Sequence, residues 1–274
     1  MMMIMLIGLI FIFGLCIGSF LNVCIYRLPR DMSVAFPRSH CTNCQNKIAW
    51  YDNIPLLSIA VLKFRCRFCK MPISIRYPLI ELIAGLTGVV FAWTYFSGGY
   101  TFSYALLAAL CSFSFIVIFF IDLDYFIIPN EITYGGIVLG LIGSIISPAN
   151  IEAGTALQGF LLSCLGIAVG GGFLYGVAVI AEWILKKEAM GMGDVKLMGM
   201  MGAMFGWKIA LGTIFLGSLI GTMVGGGMML TGRLKKGEHI PFGPYLTVAG
   251  FIMILWGHAM IDWYLKLVIP SRTL

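Results

Sequence analysis

The chain has 274 residues, 60% hydrophobic and only 11% charged. A soluble domain of that length needs far more polar surface, so most of the chain must face lipid or other membrane helices. The net charge of +6 does not point to nucleic acid, because nine of the eighteen Lys and Arg run from Arg27 to Arg76 against only Asp31 and Asp52, while the rest cluster at the ends of apolar runs. Basic flanks without a basic face are what membrane topology alone requires, so no nucleic-acid partner is expected.

In chain order, the first apolar run, 2–25, has no basic residue before it and meets its first charges at Arg27 and Arg30. It reads as an uncleaved first membrane helix with its N-terminus outside, rather than as a signal peptide. Further runs of spanning length follow at about 76–97, 102–121, 131–148, 155–183, 209–231 and 241–265. A shorter stretch, about 195–207, counts as an eighth span, with a re-entrant or partly buried helix as the alternative. The fold class is therefore all-α and polytopic, with about eight transmembrane helices and one small polar loop domain. Placing the basic region 27–75 in the cytoplasm puts Lys186-Lys187 and Arg233-Leu-Lys-Lys236 on the same side. Asp122, Asp124 and Asp194 fall on that side too. Glycine pairs at Gly166-x3-Gly170, Gly172-x3-Gly176 and Gly217-x3-Gly221-x3-Gly225 predict close helix packing.

The loop carries Cys41-Thr-Asn-Cys44 and Cys66-Arg-Phe-Cys69, two C-x2-C pairs with 21 residues between them. Such knuckles can supply four thiolates tetrahedrally to one zinc, and a closed all-sulfur set is structural rather than catalytic. A loop of this size builds no core of its own, so the metal supplies much of its folding energy. Disulfides are the alternative, disfavoured in a reducing cytoplasm. Cys16, Cys24, Cys111 and Cys164 lie inside apolar helices and read as small core residues.

Acids are scarce, which singles out two places. Gly191-Met192-Gly193-Asp194 opens the short apolar stretch, and Asp122-Leu-Asp124 ends the third span, before Ile128-Pro129-Asn130 interrupts the chain. An ionisable group at a membrane span is costly and marks function by default. If Asp122 and Asp194 face each other they share one proton, with one carboxylate as general base on water and the other as acid. Against this, Asp194 could simply cap its helix or pair with Lys196, and Asp124 and Glu131 read as solvated loop charges. His40, His239 and His258 show no ligand or triad spacing, and neither G-x-S-x-G nor H-E-x-x-H occurs.

Four blocks together resemble the type IV prepilin peptidases, membrane aspartyl proteases of the GxGD class. They are Gly18-Ser-Phe-Leu-Asn-Val-Cys-Ile-Tyr-Arg-Leu-Pro29; the four-cysteine module running into Arg76-Tyr-Pro-Leu-Ile-Glu81; Ile121-Asp-Leu-Asp-Tyr-Phe-Ile-Ile-Pro129; and Glu188-Ala-Met-Gly-Met-Gly-Asp-Val-Lys-Leu-Met198. Pro241-Phe-Gly-Pro244 is similar as well. The resemblance implies that Asp122 and Asp194 are the catalytic pair, Asp122 being chosen over Asp124 because it stands six residues before the hydrophobic position of Ile128. Gly191, Gly193 and Lys196 support the motif, and Cys41, Cys44, Cys66 and Cys69 take structural zinc. It further implies a bacterial inner-membrane enzyme, its active site facing the cytoplasm, that cuts the leader of a prepilin or pseudopilin after glycine. Members with the cysteine loop also methylate the new N-terminal amine with S-adenosylmethionine. The methyl-donor residues stay unassigned, with the first block and Glu81 as candidates, and membrane lipid is a further expected partner of the basic loop. The expected domains are a first helix at 1–26, a zinc-binding loop domain at 27–75 and a transmembrane peptidase domain at 76–274. A non-enzymatic zinc-stabilised assembly factor or transporter remains open, as does a related protease for other membrane proteins.

Overall fold

The computed structural model describes residues 2–186, 190–232 and 240–268. Lys187, Glu188, the Arg233-Leu-Lys-Lys236 cluster and His239 lie outside the described residues. The α-helices are α1 (Met2–Arg27), α2 (Leu57–Leu62), α3 (Arg76–Phe96), α4 (Phe102–Tyr125), α5 (Asn130–Ile146), α6 (Ala156–Leu185), α7 (Met192–Leu230) and α8 (Gly243–Val268). Among the described residues β pairing is confined to two isolated bridges, His40 with Lys47 and Arg65 with Pro72. Six helices are long and apolar enough to cross a membrane, and α5 is a shorter apolar helix of 17 residues. This is a multi-pass membrane protein. The chain divides into two compact units, Met1–Ile121 and Asp122–Leu274.

In the first unit α1 and α3 cross almost backbone to backbone. A Cβ added to Gly18 would lie 2.5 Å from Glu81 Cα, and one on Gly14 would lie 2.8 Å from Gly85 Cα. Leu28-Pro29 ends α1 in a 3-10 turn, and the buried Arg27 side chain donates to the carbonyls of Ser33 (2.8 Å) and Pro37 (2.6 Å), fixing the exit of the chain. Proline at the third position of α3 is tolerated because a first-turn amide has no intrahelical partner to lose.

In the second unit, α7 is not one rod. Gly206 has φ 82° and ψ 168°, a conformation that a side chain would strain. A Cβ on Gly170 of α6 would lie 2.6 Å from Met198 O and 2.9 Å from Ala210 Cβ. Twelve residues of continuous helix span about 18 Å, so the chain doubles back at Gly206. The segment read from sequence as a separate short span is therefore a first arm, Met192 to Phe205, and its residues from Leu197 to Phe205 are all buried. Counting both arms and α5 gives the eight apolar helical segments expected.

Neighbouring helices grip this arm through glycine. Gly166 of α6 and Gly202 sit so close that a Cβ on either would collide with the other's carbonyl oxygen. A Cβ on Gly140 of α5 would lie 2.7 Å from the Ala203 carbonyl carbon. Ser163 Oγ donates to Ala203 O at 2.8 Å, satisfying a carbonyl beside the break in the helix. Met198, Met200, Met201 and Met204 fill the remaining space with flexible thioethers.

Not every Gly-x3-Gly pair faces a neighbouring helix, contrary to the expectation from spacing. Gly166, Gly170, Gly217 and Gly221 do meet neighbouring helices, but a Cβ on Gly172 or Gly176 would meet nothing within 4 Å. Spacing places glycines on a common face without saying which face has a neighbour. Gly166→Leu should therefore force α6 from α7 and lower the thermal midpoint in detergent, at an overpacking cost of about 1–3 kcal/mol or more. Gly172→Leu, measured in the same assay, should leave the midpoint unchanged.

Candidate active site

Both singled-out acids belong to the second unit, and both are buried, Asp122 at 5% and Asp194 at 8% exposure. Asp122 lies in the last turn of α4, which runs on to Tyr125; Phe126, in the left-handed region, then closes the helix by donating its amide to Asp122 O at 3.0 Å. Asp194 is the third residue of α7, after Gly191 at the N-cap. It is thus not the cap residue. Nor does it pair with Lys196, whose Nζ donates to Asn130 Oδ1 at 2.8 Å and lies 5.4 Å from the centre of the Tyr134 ring. Lys196 fastens the first turn of α7 to the start of α5.

Two helix N-termini and one side chain bring the acids together. Gly243, the first residue of α8, donates its amide to the Asp122 carboxylate. A Cβ at Gly243 would lie 2.6 Å from Asp122 Oδ2, so only glycine allows this approach. Ile128 packs between, 2.9 Å from a Cβ built on Gly193 and 3.3 Å from one built on Gly243. The two carboxylates are near enough for the charge of Asp122 to act on Asp194. Asp194 lies in the first turn of α7 and Asp122 faces the first amide of α8, so each carboxylate meets the positive end of a helix, which offsets part of the cost of burying it. Asp124 and Glu131, by contrast, are exposed.

Gly243, Asn130 and Ile128 join the site only through the fold. Gly243 was visible as part of Pro241-Phe-Gly-Pro244, a block without an assigned task. Asn130 was signalled only by being polar at the start of an apolar helix.

The four cysteines of the loop come together in the first unit, their Sγ atoms all within 4.8 Å of one another. All eight cysteines of the chain are free thiols. The two knuckles repeat one hydrogen-bond scheme: Cys41 N to Asn46 O and Gln45 N to Cys41 O, both 2.9 Å, match Cys66 N to Met71 O (2.9 Å) and Lys70 N to Cys66 O (3.1 Å). Gln45 and Lys70 make the turn in the left-handed region, with φ 59° each. A zinc–sulfur bond of about 2.3 Å requires tetrahedral sulfur–sulfur edges of about 3.8 Å, and Cys41 Sγ lies 3.8 Å from Cys69 Sγ. The donor set fits a closed four-thiolate metal site. Hydrogen bonds from the Met71 backbone and the Asn43 side chain pull the Cys69 thiol down to about 6, toward the thiolate that a metal requires.

A clamp closes the module from outside. Arg67, inside the second knuckle, donates through Nε to Asp52 Oδ2 (2.6 Å) and through Nη2 to Asp52 Oδ1 (2.5 Å). Its guanidinium holds the Asp52 carboxyl below the usual carboxylate range.

Fold and site together define a multi-pass membrane protein with a buried pair of acids in one unit and a four-thiol module in the other. Residues 12–95 match the Bacterial Peptidase A24 N-terminal domain, and residues 108–226 match the Type IV leader peptidase family. Similar proteins named prepilin leader peptidase/N-methyltransferase occur in Aeromonas hydrophila (36% identical over 94% of this chain and 93% of that one) and in Pseudomonas aeruginosa (33%, over 92% and 91%). Another, from Myxococcus xanthus, is 41% identical over 82% of this chain and 64% of its own. The chain belongs to the type IV leader peptidase family. No solved structure matches it significantly.

Two outcomes should follow for the module. Purified protein should carry one zinc per chain by atomic emission, and Cys44→Ser or Cys69→Ser should lose it along with hydrogen-exchange protection across residues 40–72. Because the folded Asp52 carboxyl is depressed, the stability it contributes is present above the unfolded carboxylate pKa and is lost as pH falls below about 4. Asp52→Asn should remove that acid-dependent step in exchange data corrected for intrinsic rates.

Proposed function

We propose that this chain is an aspartyl endopeptidase that removes the leader of type IV prepilins or pseudopilins, cutting after a glycine, and that it also methylates the new N-terminal amine with S-adenosylmethionine. The names of its relatives support both activities, and their alignments run along most of the chain. The observation that carries the peptidase half is the placement of Asp122 and Asp194, two buried carboxylates of one unit bracketing Ile128 at the N-termini of α7 and α8.

The chemistry follows from two carboxyl groups that share a proton. The ionised carboxylate takes a proton from water as the water oxygen attacks the scissile carbonyl, while the neutral carboxyl donates to the carbonyl oxygen. The tetrahedral diol then collapses, and a carboxyl proton passes to the leaving amine as the C–N bond breaks. Water is the nucleophile, so neither a serine nor a cysteine is consumed in a covalent intermediate.

The basic run from Arg27 to Arg76 supports a cytoplasmic position for the loop domain, and hence an inner-membrane enzyme cutting at the cytoplasmic face. The same run favours anionic lipid headgroups beside it. Four thiolates at zinc-compatible separations support a structural zinc, which would supply cross-links in place of a hydrophobic core and no step of the reaction.

Asp122→Asn and Asp194→Asn should each abolish cleavage of a purified prepilin while the protein still inserts and folds. Either variant cleaving at near the parent rate would sink the assignment. Gly243→Ala should displace the Asp122 carboxylate and lower the cleavage rate about ten-fold or more without reducing the yield of folded protein. Mass spectrometry of the product with and without S-adenosylmethionine reads both halves of the proposal.

A further inference from the structure

The first unit holds a cavity of about 380 Å³ that the peptidase chemistry does not use. Its α1 wall is built from Ser19, Asn22, Tyr26 and Arg27, the last three standing three, seven and eight residues after the first and so on one helical face. Its α3 wall includes Tyr77 and Glu81, one turn apart, and the loop around Cys41 and Cys66 closes it. The residues of both helix walls fall in the two family blocks that contribute nothing to the acid pair. They also lie within residues 12–95, outside the segment that matches the leader peptidase family.

Two buried ionisable side chains of this wall lack an ionic partner among the described residues. Arg27 is 4% exposed, and its guanidinium donates to two backbone carbonyls, which leaves further N–H groups and its full charge uncompensated by any carboxylate among the described residues. Glu81 is 6% exposed; it accepts from the Leu56 amide at 2.9 Å and from the Ser19 hydroxyl, with no cation paired to it among the described residues. A buried ion of either sign is costly unless paired. A ligand that brings a cation to Glu81 and a carboxylate to Arg27 removes both costs at once.

We infer that this cavity is the methyl-donor site, binding an adenosyl sulfonium amino acid with its cationic end toward Glu81 and its α-carboxylate toward Arg27. The inference rests on the methyltransferase half of the proposed function. The size suits such a ligand, since small-molecule cavities run from about 300 to 1,000 Å³. Tyr26 and Tyr77 offer aromatic faces to a cation or a purine. In the reaction this site would serve, the substrate amine, having given up a proton, forms the new N–C bond with its lone pair. The S–CH3 bond breaks toward sulfur, leaving a neutral thioether and a methylated ammonium.

The test uses the full-length protein in nanodiscs. Tritiated S-adenosylmethionine is bound at equilibrium, then cross-linked by ultraviolet irradiation, and the labelled peptides are mapped by mass spectrometry. Label should fall on peptides from residues 12–95. Glu81→Gln keeps the shape and an acceptor for Leu56 N–H but loses the charge, and it should weaken binding about ten-fold or more, with helical circular dichroism unchanged. If the parent binds S-adenosylmethionine but the label lies in residues 122–268, or Glu81→Gln binds as the parent does, the cavity is not the site. If the parent neither binds the donor nor methylates a cleaved prepilin, the methyltransferase reading itself falls. Should Glu81→Gln fail to fold, the label map on the parent still decides.

Discussion

The C-terminal unit is organised by the cost of burying two carboxylates inside an apolar helix bundle. Each acid is offered the N-terminus of a helix, Asp194 from within the first turn of α7 and Asp122 from the amide of Gly243 at the start of α8. The partial positive charge there stabilises an anion without introducing a cation that would neutralise it permanently. A lysine salt bridge would have served the fold as well but would have held the acid permanently ionised. Lys196, two residues from Asp194, is tied to Asn130 instead.

That arrangement dictates where glycine must stand. A helix end can reach a carboxylate only if nothing projects between them, which is met at Gly243, and Ile128 can wedge against α7 only because Gly193 has no side chain. Farther along, the contact between Gly166 and Gly202 sinks the first arm of α7 between its neighbours, and Gly206 turns the chain back once the arm has been placed. At 14 residues this arm is about 21 Å long, short of the roughly 30 Å of a bilayer core. Its short length is tolerable because it is wrapped by protein rather than lipid. Backbone breaks at membrane depth persist only where protein covers the freed groups, as Ser163 does for Ala203.

Much of this was legible in the sequence. Apolar run lengths gave the helices, the paired C-x2-C spacing gave the thiol cluster, and the scarcity of acids pointed to Asp122 and Asp194. Less was legible where an outcome depends on which surfaces meet. The tight crossing of Gly14 and Gly18 with α3 went unread because their run looked like an ordinary first helix. Gly172 and Gly176 were given a neighbour they lack. Whether 195–207 formed its own helix depended on one backbone angle at Gly206, a position that periodicity treats like any other glycine. The role of Gly243 needed contact across more than a hundred residues of chain, which no local pattern encodes.

The N-terminal unit solves a different problem with different means. Its helices α1 and α3 are held by shape, glycine against backbone, whereas the loop between them has too few apolar residues in its interior to hold itself. There the cross-links are polar: four thiols brought within metal-binding distance, and the Asp52–Arg67 clamp. Between this polar cap and the tight helix pair lies space that side chains do not fill. The cavity lined by Arg27 and Glu81 is that space. Its two ionisable side chains are held by polar groups, Arg27 by the Ser33 and Pro37 carbonyls and Glu81 by the Leu56 amide. Arg27 thus both fixes the exit of α1 and, with Glu81, gives the wall a polarity that an apolar filling of the same space would lack.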